Sequence, residues 1–103
     1  MIFCFDLDNT LCSSPNLNYS EAVPLKSRIQ AVQSLHREGH KIIISTARGS
    51  KSGLNFEALT RRQLDLWGLD FATLHMGKPA ADFYVDDKAI SDKSFFGSEN
   101  DIN

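Results

Sequence analysis

Apolar positions in this chain follow two periods. Ile2, Phe3, Cys4 and Phe5 form an unbroken apolar run that stops at Asp6, as a short buried strand does. Leu25, Ile29, Val32 and Leu35 recur at helical spacing, with Lys26, Arg28, Gln33 and Arg37 between them. Pro24 suits the first helical position and Gly39 the stop, which predicts a helix of about four turns with one apolar face. Lys41 to Ser45 contains three consecutive isoleucines and reads as a second strand, buried on both faces. Strand, helix and strand at this spacing make a right-handed parallel crossover. Thr60 with Gln63 looks like a capping box opening a short helix that carries Leu64 and Trp67 and ends at Gly68. Phe71 to His75 and Asp82 to Val85 are strand candidates, with the break Gly77-Lys78-Pro79 between them and no room for a full helix from Lys78 to Asp82. Ser13 to Val23 is loop or short hairpin, Gly49 to Asn55 a flexible connection, and Ile90 to Phe96 fits helix or strand equally. The pattern is that of an α/β core over residues 1–96, with a mainly parallel sheet of about four to five strands, followed by a polar tail over 97–103.

A chain of 103 residues forms one domain, and so small a core has a thin stability margin that self-association in a homo-oligomer would add to. With 42% hydrophobic and 23% charged residues, its composition is that of an ordinary globular protein. A net charge of -2 gives no long-range attraction to nucleic acid, so none is expected as a partner. No apolar run approaches the length of a membrane span, and no basic segment precedes a hydrophobic one; the expected compartment is the cytoplasm. Cys4, inside the first strand, reads as a small buried hydrophobe, and Cys12 lacks a neighbour at metal-ligand spacing; both read as reduced and structural.

The candidate chemistry collects at strand ends. Asp6 and Asp8 follow the first strand directly, on one side if the extended geometry persists, so their like charges call for a cation between them. Asp-Asn-Thr at Asp8 to Thr10 is also good turn chemistry. The second strand runs out at Ser45, Thr46 and Arg48, Lys78 follows the third, and Asp86 and Asp87 follow the fourth. Oxygen ligands of this kind suit Mg²⁺ and are poor ligands for structural zinc. A cation, a lysine and a hydroxyl around a nucleophilic carboxylate describe phosphoryl transfer.

Taken in order, these stretches resemble the four motifs of the haloacid dehalogenase superfamily: DLDNT (Asp6 to Thr10), IIIST (Ile42 to Thr46), Lys78 in GKP, and VDD (Val85 to Asp87). The resemblance implies a Rossmann-like three-layer α/β/α sandwich without a cap domain, and a Mg²⁺-dependent phosphatase. On that basis Asp6 is the expected nucleophile and Asp8 the acid/base. Thr46 is the expected phosphoryl contact, with Ser45 as runner-up, and Lys78 the balancing charge. Arg48 is either a substrate contact or a loop-pinning arginine. The metal set is Asp6, Asp8 through its carbonyl, Asp86 and Asp87, and which of the last two binds directly is open. The run LTRRQLDLWGLDFATLHMGKPAADFYVDDKA is similar to phosphatases of capsule and cell-surface polysaccharide synthesis, which makes a small sugar phosphate the expected substrate. His75, at a strand end, is a weaker substrate-contact candidate.

Two other readings compete. Receiver domains also combine paired acids, a phosphorylated Asp, a hydroxyl and a lysine, but they open with the acid pair, whereas here DLDNT opens and Asp86-Asp87 come last. A catalytically silent binding domain would use the same fold for recognition alone.

Overall fold

The structure, a computed structural model, describes residues 1–97, so all but the first residue of the expected tail lies outside the described residues. Strand β1 (Ile2–Asp6) leads to a two-residue strand β2 (Cys12–Ser13), two 3-10 turns (Pro15–Leu17 and Tyr19–Glu21) and β3 (Val23–Pro24). Helix α1 (Lys26–Arg37), strand β4 (Lys41–Thr46), helix α2 (Glu57–Leu66), strand β5 (Thr73–Met76) and a short helix α3 (Asp92–Phe96) follow. β1, β4 and β5 form a parallel sheet in the order β1-β4-β5, while β2 and β3 form a small antiparallel ribbon.

The register separates two faces of the sheet. Phe3 and Phe5 pair with Ile42 and Ile44, and Ile44 pairs with Leu74, so these side chains share one face. Ile29 and Val32 of α1 and Leu64 of α2 join them in the core, together with Leu7, Leu11, Cys12 and Leu69. Phe95 and Phe96 of α3 meet the rings of Phe3 and Phe5 on the same side. The opposite face carries Ile2, Cys4, Ile43, Thr73 and His75. Of these Ile43 is half-buried and the rest are exposed, Ile2 to 67%. Cys4 is therefore not the buried hydrophobe expected, nor is β4 buried on both faces. The α/β class with a parallel sheet stands, but the described residues supply helices to one face only.

The cause is the stretch after β5. Asp82–Val85 is not a strand: Pro79 to Ser91 is irregular and exposed throughout, with Phe83 at 85% and Val85 at 97% exposure. A parallel strand needs a crossover of about a dozen residues or more, usually a helix that would cover a face, and Gly77 to Ala81 is too short to supply one. Other boundaries shift for local reasons. Pro24 pairs with Cys12 in the ribbon, so α1 starts at Lys26 instead. α2 starts before Thr60, where the Asn55 side chain accepts from the Glu57 N–H, so Thr60 is inside the helix and no capping box forms. Gly39, at φ +96, ends α1 as expected, because a left-handed residue lets the next N–H return to the last turn. No helix among the described residues is long and apolar enough to cross a membrane.

Candidate active site

β1 delivers Asp6 to the carboxyl edge of the sheet, and a tight turn then folds the chain back. The Leu7 carbonyl accepts from the N–H groups of Thr10, Leu11 and Cys12 at 3.2, 2.8 and 3.3 Å. Asn9 takes the left-handed conformation at φ +64, one that Asn tolerates better than most residues. Leu7 and Leu11 are fully buried beneath this turn, which fixes the two acids above the core.

The acids meet different partners. Asp6 Oδ1 lies 3.3 Å from Lys78 Nζ, its Oδ2 accepts from Thr10 Oγ1 at 3.2 Å, and its side chain is 37% exposed. The two acids thus do not share one cation: Lys78, whose ammonium also sits 4.2 Å from the centroid of the Tyr84 ring, serves Asp6, and Arg48 serves Asp8. Backbone contacts hold Lys78 there: its N–H donates to the Thr46 carbonyl at 3.0 Å and its carbonyl accepts from Ser50 Oγ at 2.6 Å.

Asp8 is enclosed. Arg48 donates to it twice, Nε to Oδ2 at 3.0 Å and Nη2 to Oδ1 at 2.9 Å; Ser14 Oγ also donates to Oδ1, and Cys12 Sγ does so at 3.5 Å. Burial pushes the Asp8 carboxyl up, but the Arg48 and Ser14 hydrogen bonds and the Arg48 charge outweigh it and hold the group below the usual carboxylate range. The Cys12 thiol is pushed up to about 12, by burial first and then by the Asp8 charge, so it stays protonated and inert.

Arg48 has no free face. Its Nη1 donates to Thr60 Oγ1 at 3.1 Å and Gln63 Oε1 at 2.6 Å, its guanidinium lies 4.8 Å from the Tyr19 ring centroid, and its side chain is fully buried. In this arrangement it pins loop and helix to Asp8 and cannot touch a substrate, so of the two readings the loop-pinning one fits. The neighbouring Gly49 is required by space as well as by its φ of +82, since a Cβ there would lie 2.1 Å from the Leu54 carbonyl oxygen.

The remaining candidates divide. Thr46 is 1% exposed and its hydroxyl accepts from the Arg48 N–H at 3.1 Å. Ser45 is the register partner of Asp6 and shares its side of the sheet, while Thr46 faces the other way. His75 pairs in turn with Ser45 and is exposed, completing a row Asp6, Ser45, His75 across three strands. Asp86 and Asp87 form no metal-sized cluster with Asp6 and Asp8 among the described residues. Both are exposed, and Asp86 accepts from the Lys88 N–H at 2.9 Å, which lowers its pKa.

A divalent cation needs several oxygen ligands, and among the described residues no group of three or more acids, histidines or cysteines stands close enough to hold one. The described residues therefore do not bring three side chains of the expected set Asp6, Asp8, Asp86 and Asp87 together around one ion.

Some residues of the site escaped the sequence reading. Arg28, assigned to the polar side of α1, is 2% exposed; its Nη1 donates to the Thr10 carbonyl at 3.0 Å and to Asp92 Oδ2 at 2.7 Å, tying α3 to the acidic turn. Its position three residues after Leu25 and four before Val32 puts it on the apolar stripe, a signal that was available. Ser14, Tyr19 and Gln63 carry no comparable local signal.

Comparison with known proteins follows the same lines. A family model described as haloacid dehalogenase-like hydrolase matches residues 3–64. No curated protein matches the chain. A crystal structure of a protein from Vibrio cholerae is 26% identical and superposes with a TM-score of 0.83, covering 91% of this chain and 85% of that one. A chain of the Pnkp1/Rnl/Hen1 complex is 21% identical with a TM-score of 0.60, over 82% of this chain and 30% of its own length, a likeness of fold alone. The matched span covers more than half the chain and includes both acids of β1 and its turn, Arg48 and Gln63; the chain belongs to the haloacid dehalogenase-like hydrolase family.

Proposed function

We propose that this protein is a phosphatase that cleaves phosphate monoesters through a phosphoryl group carried on Asp6. The observation that carries the reading is the half-open Asp6 carboxylate held 3.3 Å from the Lys78 ammonium at the carboxyl edge of a parallel sheet. A carboxylate so placed can attack phosphorus while the ammonium offsets charge spread over the equatorial oxygens. In the first step the Asp6 oxygen bonds to phosphorus as the ester P–O bond breaks, and the departing oxygen takes a proton. In the second, water attacks phosphorus, loses a proton, and releases inorganic phosphate from Asp6.

Asp8 is the group we assign to these proton transfers. To make them it exchanges one of its present donors for the departing oxygen or the incoming water. Ser45, beside Asp6, is the hydroxyl better placed to contact the phosphoryl group than Thr46. The Mg²⁺ that the resemblance implies finds no group of three acidic, histidine or cysteine side chains among the described residues, and no step is routed through it. Small sugar phosphates are the first substrate class to test, since Phe56, Asn55 and Glu57 line an open cleft of about 300 Å³ that reaches Gly77, the residue before Lys78.

The test is phosphate release from a panel of phosphorylated sugars, nucleotides and peptides, with Mg²⁺ and with chelator. Release from at least one sugar phosphate is expected, lost in a folded Asp6→Asn protein. Release that survives this substitution contradicts the nucleophile. Inactivity of the native protein on the whole panel favours a phospho-acceptor or binding domain.

A further inference from the structure

We propose that the arm Asp82–Asp87 serves a second copy of this chain: it adds to the outer edge of that copy's β1 and sets Asp86 and Asp87 beside its Asp6, and the second copy's arm does the same in return. The role given to the two acids rests on the function proposed above; the exchange of arms does not.

Both ends of the arm are anchored, and between them the Tyr84 ring rests on the Lys78 ammonium and its hydroxyl donates to the Pro79 carbonyl, contacts that the exchange would give up. Lys78 is tied to Asp6 and to the Thr46 carbonyl, and Asp92 to Arg28. Every residue from Pro79 to Ser91 is exposed, including Phe83, Val85 and Ile90 at 85%, 97% and 64%. Asp-Phe-Tyr-Val is strong strand composition, and apolar side chains gathered in solvent mark a contact surface. The complementary surface is present too. β1 is an edge strand of the sheet, with exposed Ile2 and Cys4 on its open face, and an edge strand is a template for another.

The arm cannot reach the edge of its own β1. Lys78 is fixed at the carboxyl end of β4, whereas a parallel strand beside β1 begins at the opposite end of the sheet. Reaching that point means descending about 13 Å and crossing two strand spacings, about 10 Å, or roughly 16 Å in all. Lys78 to Asp82 spans at most about 14 Å fully extended, before any reversal of direction. An arm from another copy has no such limit. Reciprocal exchange closes as a two-fold dimer, and burying two arms and two β1 edges reaches the order of 1,000 Å² that a specific interface needs.

Light scattering on the whole chain at several concentrations should give twice the 11.5 kDa of one chain. Val85→Lys or Phe83→Asp, at positions already in solvent, should give a folded monomer. A native monomer, or a dimer unchanged in both variants, overturns the exchange whether or not the protein is a phosphatase. Complementation tests the shared site. Asp6→Asn and the double variant Asp86→Asn/Asp87→Asn, each inactive alone, should on mixing and subunit exchange recover about a quarter of native activity. Half the dimers are then mixed and one of the two sites in each is intact. A mixture that stays inactive while the native protein is active overturns the exchange and leaves the proposed function standing.

Discussion

Asp8 and Arg48 form a pair whose guanidinium is wholly enclosed and whose carboxylate is 16% exposed. Removing one partner of such a pair strands the other charge, so Arg48→Met should cost about 3–5 kcal/mol, measured by urea unfolding. The pH dependence follows from the direction of the shift. Asp8 titrates below its ordinary 3.8 in the folded protein, so its stabilisation is complete above that value and is lost as pH falls through the lower, folded one. Asp92, held down by the Arg28 hydrogen bond, has the same sign. Melting temperature should therefore drop below about pH 4, and the drop should be shallower in Asp8→Asn. The same substitution should slow turnover by roughly 10²–10⁴ if Asp8 moves the protons. At this scale the acids were plain in the sequence because they interrupt an apolar run. The partner of Asp8 was not, since Arg48 lies forty residues away and only the β1–β4 register brings it near.

Among the elements, α1, β4 and the strand-helix-strand crossover were legible because a long apolar period outweighs local ambiguity. The start of α2 was misread for an instructive reason. Thr60 and Gln63 do point the same way, as their spacing requires, but toward Arg48 and the Tyr19 carbonyl instead of a helix terminus. A pattern three residues apart records a shared direction without recording what lies there. The choice between helix and strand for Ile90 to Phe96 is settled by Ser91, whose hydroxyl accepts from the Ser94 N–H at the start of α3. α3 is held by the Arg28–Asp92 pair and by Phe95 and Phe96 against Phe3 and Phe5. Phe95→Ala should cost about 1.5–3 kcal/mol, read from the denaturation midpoint, because that ring leaves a cluster of aromatics. An unchanged midpoint would show that α3 adds nothing to the core.

For the whole molecule, the order of the stretches along the chain brings Lys78 to Asp6, whereas Thr46 faces the other side of the sheet from Asp6 and Asp86 and Asp87 complete no cluster with it. Asp82 to Val85 has strand composition, yet composition does not tell which sheet a strand joins. The short link after Met76 keeps that segment out of its own sheet and leaves Asp86 and Asp87 in solvent. What the site does turns on Asp6, and trapping its covalent state is the most direct test. The protein is mixed with a phosphorylated substrate, quenched in acid within the turnover time and mapped by mass spectrometry. One phosphoryl group on Asp6, absent from Asp6→Asn, is the predicted result; turnover with no adduct on Asp6, or with the group on another residue, would contradict it.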